Sequence, residues 1–135
     1  MYTFNKEERL CSHKLLEKLF HNGSSFLLYP FRIVWLQESL PTNFHVQVVI
    51  SVPKKRFKRA VDRNLLKRRI REAYRLNKLE LLYSFFDIHN QDILLAINYV
   101  GKEITDYNFI EKKLKATLGK LQQEYTKKQS NEAIQ

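Results

Sequence analysis

With 135 residues and an apolar fraction of 44%, the chain is long enough for one domain with a modest core and too short for two. Its net charge of +10 implies a polyanionic partner, either nucleic acid or an anionic membrane surface. The longest apolar run, near residues 93–100, is interrupted by Asn98 and falls far short of the ~20 residues that span a bilayer, which sets membrane insertion aside. Residues 1–9 are charged and lack the apolar stretch of a signal peptide. With Cys11 as the single cysteine, they predict a cytoplasmic protein without an internal disulfide. His13, His21, His45 and His89 have no paired spacing with Cys11, so no metal site is expected on the protein.

In chain order, Ser12 reads as an N-cap, and Leu15, Leu16, Leu19 and Phe20 recur at helical spacing up to Gly23, a natural residue beyond a helix C-terminus. Residues 26–29 read either as a short strand of their own or as part of the next one, divided by Pro30. Residues 31–36 predict a strand and 37–43 a loop. Residues 45–52 predict a second clear strand ended by Pro53, which cannot donate to a central ladder. A strongly basic helix is expected over 58–78, continuing to about Leu82. The uninterrupted apolar stretch 92–100 suits a strand buried on both faces. Asp106 or Thr105 caps a last helix running to about Tyr125, with Phe109 or Ile110, Leu114, Thr117, Leu118 and Leu121 as its apolar stripe. The expected domain therefore covers residues 1–126, followed by a disordered polar tail at 127–135.

The basic helix carries the functional signal. Between Lys54 and Lys78 lie twelve basic residues against only Asp62 and Glu72, so this segment supplies the whole net charge of +10. Arg63, Lys67, Arg71 and Arg75 are spaced four apart and form a row along a helix; Asn64 and Arg68 widen it, and Arg59 precedes it. Leu66, Ile70 and Ala73 mark a different face, able to dock on a core. Solvated charged faces ordinarily mix signs, and here the pairing acids are nearly missing. Like charges at this spacing repel, and a phosphate backbone relieves that repulsion with release of counterions. Arginine dominates the row and grips phosphate in a bidentate way that lysine cannot.

Residues 48–75, VVISVPKKRFKRAVDRNLLKRRIREAYR, resemble the signature of the bacterial ribonuclease P protein component. Ser51, Val52, Lys54 and Lys55 match the family's strand ending in Ser-Val-x-Lys-Lys. Ala60, Val61, Arg63, Asn64, Lys67, Arg68, Arg71, Glu72, Ala73 and Tyr74 match the helical motif that follows. Arg9, Leu10, Phe20 and Gly23 follow its N-terminal pattern. Three positions depart: Leu65 replaces the second arginine of an Arg-Asn-Arg triplet, Leu16 stands where an aromatic is common, and Val34 where some members carry tyrosine.

The resemblance implies a single α/β (α+β) domain in the order α-β-β-β-α-β-α, similar to the second domain of ribosomal protein S5, with a left-handed βαβ crossover. It also implies a non-catalytic subunit of a ribonucleoprotein endoribonuclease. In such a complex a large RNA, holding Mg²⁺ itself, removes the 5′ leader from precursor tRNA, and the protein binds both RNAs as a monomer in a one-to-one complex. Arg59, Arg63, Asn64, Lys67, Arg68, Arg71 and Arg75 are the expected RNA contacts. Phe20, Phe31, Lys54 and Lys55 are the expected leader contacts, because single strands are held by basic grooves with aromatic platforms. Phe20, Phe31 and Trp35 also admit a reading as core residues.

Other classes fit less well. A ribosomal-type RNA-binding protein without a substrate is the nearest alternative. A nuclease acting through its own side chains would need gathered carboxylates or paired histidines, and Asp87, Asp92, Glu103 and Asp106 are scattered over expected loops and strand ends. A helix-turn-helix reader would need a helix where residues 45–52 predict a strand.

Overall fold

The computed structural model describes residues 3–134. Ser12 accepts the backbone N–H of Leu15 at 3.3 Å and starts α1, His13–Asn22. Gly23 ends the helix, its N–H on the Leu19 carbonyl at 2.8 Å. Its φ of −74° is open to any residue, so a left-handed backbone is not the reason for glycine here. A Cβ on Gly23 would lie 2.4 Å from the Leu19 carbonyl oxygen and 2.8 Å from Val34 Cγ1. Crowding by the helix's own last carbonyls, and then by the neighbouring strand, is what requires glycine.

Four strands follow: β1 (Ser24–Leu28), β2 (Phe31–Gln37), β3 (Val46–Ser51) and β4 (Ile93–Tyr99). The residues around 26–29 thus form a strand of their own, antiparallel to β2 and registered from Ser24↔Trp35 to Leu28↔Phe31. The sheet order is β1-β2-β4-β3, with β4 antiparallel to β2 and parallel to β3. β4 is therefore central, which explains its run of buried residues from Ile93 to Ile97.

Strand alternation divides the sheet into two faces. Phe31, Ile33, Trp35, Val46, Val48, Ile93, Leu95, Ile97 and Tyr99 form the larger core with α2 (Ala60–Lys78) and α4 (Tyr107–Ile134). Leu66, Ile70, Ala73 and Tyr74 are the buried side of α2. Ile110, Leu114, Thr117, Leu118, Leu121 and Tyr125 are that of α4. On the opposite face, Leu10 and Leu19 close a smaller core over Leu94 and Ala96. The N-terminal strap reaches it by laying Leu10 against β3, its N–H on the Val48 carbonyl at 2.8 Å, which covers an otherwise open sheet edge.

The helical order expected from sequence holds, with two additions, a 3-10 turn at Lys6–Glu8 and a continuation after α2. A π-helical turn at Leu79–Tyr83 carries the chain beyond α2 into α3 (Ser84–His89), so Asp87 lies on a helix and not in a loop. Asn90, at φ 51°, stops it. Asp106 proves to be the cap of α4, accepting the Phe109 N–H at 2.9 Å.

The expected boundary at residue 126 is corrected. α4 continues to Ile134, while Gln135 lies outside the described residues. The extra turns have partners: the Lys128 ammonium sits 5.3 Å over the Trp35 ring and 3.1 Å from Ser24 Oγ, and the Gln129 amide donates to Gln37 Oε1 at 3.1 Å. A polar composition marked residues 127–135 as tail, but a lysine stem can lie along apolar surface while its head stays polar.

At the other end of the sheet from Ser51, His45 Nδ1 is 2.8 Å from Asp92 and its Nε2 3.2 Å from Asp87. Partial burial pushes its pKa down, but the hydrogen bonds and charges of Asp92 and Asp87 outweigh that and hold it above its ordinary value of 6.5. The folded state thus binds the proton more tightly than the unfolded chain. This contribution to stability is complete below the unfolded value and fades as pH rises through the folded one. Urea unfolding at about pH 6 and about pH 8 is expected to show a larger stability difference between the protein and His45→Asn at the lower pH. A difference that grows with pH would contradict the assignment.

Candidate nucleic-acid interface

The loop from Pro53 to Arg59 turns its cations outward because two groups hold it from within. Phe57 is buried against Tyr99 at a ring distance of 6.0 Å. The Arg63 guanidinium donates to the Phe57 and Lys58 carbonyls at 2.8 and 2.9 Å. With the backbone so pinned, Lys54, Lys55, Arg56, Lys58 and Arg59 are all exposed.

Along α2 the expected row is not straight. An α-helix turns about 100° per residue, so a strict four-residue row winds by about 40° at each step. Arg63 consequently lies toward the core side and is committed to the loop carbonyls. Arg75, at the other end, pairs with Glu72 through Nε at 3.0 Å and Nη2 at 2.6 Å. The hydrogen bond from Arg75 holds the Glu72 carboxyl below the usual carboxylate range. Between these ends Asn64, Arg68 and Arg71 are exposed and Lys67 half-buried, all within about 100° of helix surface. Two further cations leave the surface: Arg69 donates to the Thr105 carbonyl, and Lys78 is buried in an ion pair with Glu8. Among the described residues, Arg75 and Lys78 are the basic groups of α2 that form ion pairs. What stays open is a patch of Arg59, Asn64, Lys67, Arg68 and Arg71 continuous with the basic loop.

A groove adjoins it on the α1 face of the sheet. Because Phe31, Ile33 and Trp35 point into the core, Arg32 and Val34 point the other way. Register extends these into cross-strand rows: Leu27, Arg32, Asn98 and Ser51, then Ser25, Val34, Ala96 and Val49. α1 covers part of that face and ends short of the first row. Phe20, Gly23, Ser25, Arg32, Val34 and Asn98 enclose a cavity of about 440 Å³ there. Phe20 is 56% exposed and forms its aromatic wall. Lys54 and Lys55 are exposed just beyond Ser51.

One expected contact needs correction. Phe31 is fully buried, on the opposite sheet face, edge-on to Tyr99 at 5.9 Å, and cannot meet a strand in this groove. Its neighbour Arg32 takes that place. Leu16 is half-buried in the α1–sheet contact and offers no stacking surface. Arg32 and Asn98 were missed, although the alternation that put Ile33 and Trp35 inside also put Arg32 outside. Among the described residues, no three His, Cys, Asp or Glu side chains gather to hold a metal ion, and no helix is long and apolar enough to cross a membrane.

Comparison with known proteins shows the family and the fold. The family described as Ribonuclease P matches residues 4–122. A ribonuclease P protein component of Porphyromonas gingivalis is 35% identical over 117 residues, covering 87% of this chain and 85% of its own. That of Petrotoga mobilis is 32% identical over 122 residues, 89% of this chain and 96% of its own. Among solved structures, the ribonuclease P protein of Thermotoga maritima superposes with a TM-score of 0.66 at 23% identity, over 84% of this chain and 96% of that one. The chain belongs to the ribonuclease P protein component family.

Proposed function

We propose that this protein is the RNA-binding subunit of a bacterial ribonuclease P. The patch on α2 and its preceding loop binds the catalytic RNA, and the groove between α1 and the sheet holds the single-stranded 5′ leader of precursor tRNA. One observation carries the reading: a cationic patch without ion-pair partners among the described residues is accompanied by a separate groove with an aromatic wall, Phe20, and an arginine, Arg32, in its lining. A protein that only stabilised a folded RNA would need the first and not the second. Two polyanions must meet in this reaction, and a strongly basic protein between them lowers their repulsion. The RNA holds the Mg²⁺ that hydrolysis needs, and the protein's side chains take no part in bond cleavage. The complex is one protein to one RNA and works in the cytoplasm.

Reconstitution with a bacterial ribonuclease P RNA at low Mg²⁺ tests this. The expected result is clear stimulation of leader removal by the protein, no cleavage by the protein alone, and tighter binding of precursor than of mature tRNA. Phe20→Ala should reduce that preference by about fivefold or more, the worth of one stacked base. No stimulation would overturn the subunit reading. Equal binding of precursor and mature tRNA would remove the groove's role alone.

A further inference from the structure

Arg32 and Ser25 also line a second cavity, of about 600 Å³, whose other walls include Phe26, Tyr29, Arg56 and Lys102. Three loops far apart in sequence build it: the turn between β1 and β2, the basic turn before α2, and the loop after β4. They converge because β1, β3 and β4 finish and β2 begins at the same end of the sheet, where Leu28 faces Phe31, Phe31 faces Tyr99, and Ser51 faces Asn98.

The chemistry of this cavity is one-sided. Among the described residues, no carboxylate pairs with Arg32, Arg56 or Lys102. Three like charges brought together without a counter-charge repel, and an anion between them relieves the repulsion. Tyr29 is 54% exposed, and its hydroxyl accepts the Lys102 backbone N–H at 3.4 Å, which ties the ring to the mouth of the cavity. Leu27, 58% exposed, and Phe26 add apolar surface beside it. Cations for a phosphate next to an aromatic face for a base is the combination that holds single-stranded nucleic acid. The volume lies within the ~300–1,000 Å³ of sites that take small groups.

We propose that this cavity is a second subsite for single-stranded RNA, taking a phosphate and its base from the leader just beyond the part held against Phe20 and Val34. The inference rests on the leader-groove reading and adds a direction to it: the strand leaves the groove over Arg32 toward Tyr29, away from α1. Leader length then matters past the groove, and the added affinity depends on Tyr29 and Lys102.

The test uses the reconstituted holoenzyme and precursor tRNAs whose leaders are lengthened one nucleotide at a time. Affinity should rise in a first step as the groove fills and in a second step as the cavity fills. The double variant Tyr29→Ala/Lys102→Ala should lose the second step, on the order of tenfold. Lys102→Glu alone, a change at an exposed loop position, should lose most of it, which guards against a folding defect in the double variant. If the second step is absent in the unaltered protein, or is as large in both variants, the cavity is no subsite, although the groove stands. If even the first step is missing, the groove reading falls and this inference falls with it.

Discussion

Replacing Lys67, Arg68 and Arg71 together by alanine is expected to weaken binding to ribonuclease P RNA by on the order of a hundredfold at about 0.15 M salt, and to flatten its salt dependence by nearly three units. Each phosphate neutralised by a cation releases counterions and contributes a slope of about 0.9 in log K against log salt. Three contacts give about 2.7, which at 0.15 M amounts to on the order of a hundredfold. These three residues are the right set because neither end of the basic row is available to phosphate in the same way. Arg63 donates to the Phe57 and Lys58 carbonyls, and Arg75 is paired with Glu72. Arg63→Ala should loosen the basic loop and lower stability while changing the salt slope less than one of the three exposed cations does. Filter binding across a salt series, with urea unfolding of each variant, separates the two effects. An unchanged slope in the triple variant would mean that this face of α2 does not meet the RNA backbone.

The difference between a row of cations in sequence and a patch on a surface shows what was legible beforehand. Period and composition placed α2, the central strand β4 and the capped starts of α1 and α4, because each rests on local chemistry: an apolar stripe, a buried run, or a side-chain oxygen three residues before an N–H. The family resemblance, and not local pattern, singled out Phe20, which helical spacing alone read equally well as core. Local pattern could not decide between Phe31 and Arg32, since that depends on which face of β2 meets α2 and α4 and which meets α1. Nor could it see that the polar residues 127–134 would continue α4 along the β1–β2 end of the sheet, where the Lys128 ammonium lies over Trp35. The cavity at Tyr29 was invisible for the same reason: Arg32, Arg56 and Lys102 become neighbours only when the strand ends align.

Lys78 is the sharpest case, and it supports the second large prediction: Glu8→Gln should cost about 3–5 kcal/mol of stability. In sequence Lys78 is one more cation of the basic helix. In the fold it is buried, with its ammonium on the Glu8 carboxylate and the Thr3 carbonyl, 5.3 Å from the Phe4 ring and 5.5 Å from that of Tyr83. Glu8 is fully buried as well, taking the Asn5 N–H at 2.7 Å and the Tyr83 hydroxyl. Glutamine keeps the shape, but its single carbonyl oxygen can take over only one of the two sites at which the carboxylate accepts from Asn5 and Tyr83, and it leaves the lysine charge buried with no counter-charge. Removing that charge too should restore most of the loss, so Glu8→Gln/Lys78→Met should be far more stable than Glu8→Gln alone. The cluster fastens the N-terminal strap to the end of α2, and the same strap covers the β3 edge through Leu10 and shares a surface hollow with Arg71. Its loss should therefore shift Arg9 and Arg71 as well, with no loss of a surface cation. Urea unfolding of the two single variants and the double variant closes the cycle. Additive losses would show that Glu8 and Lys78 do not stabilise the strap as a pair.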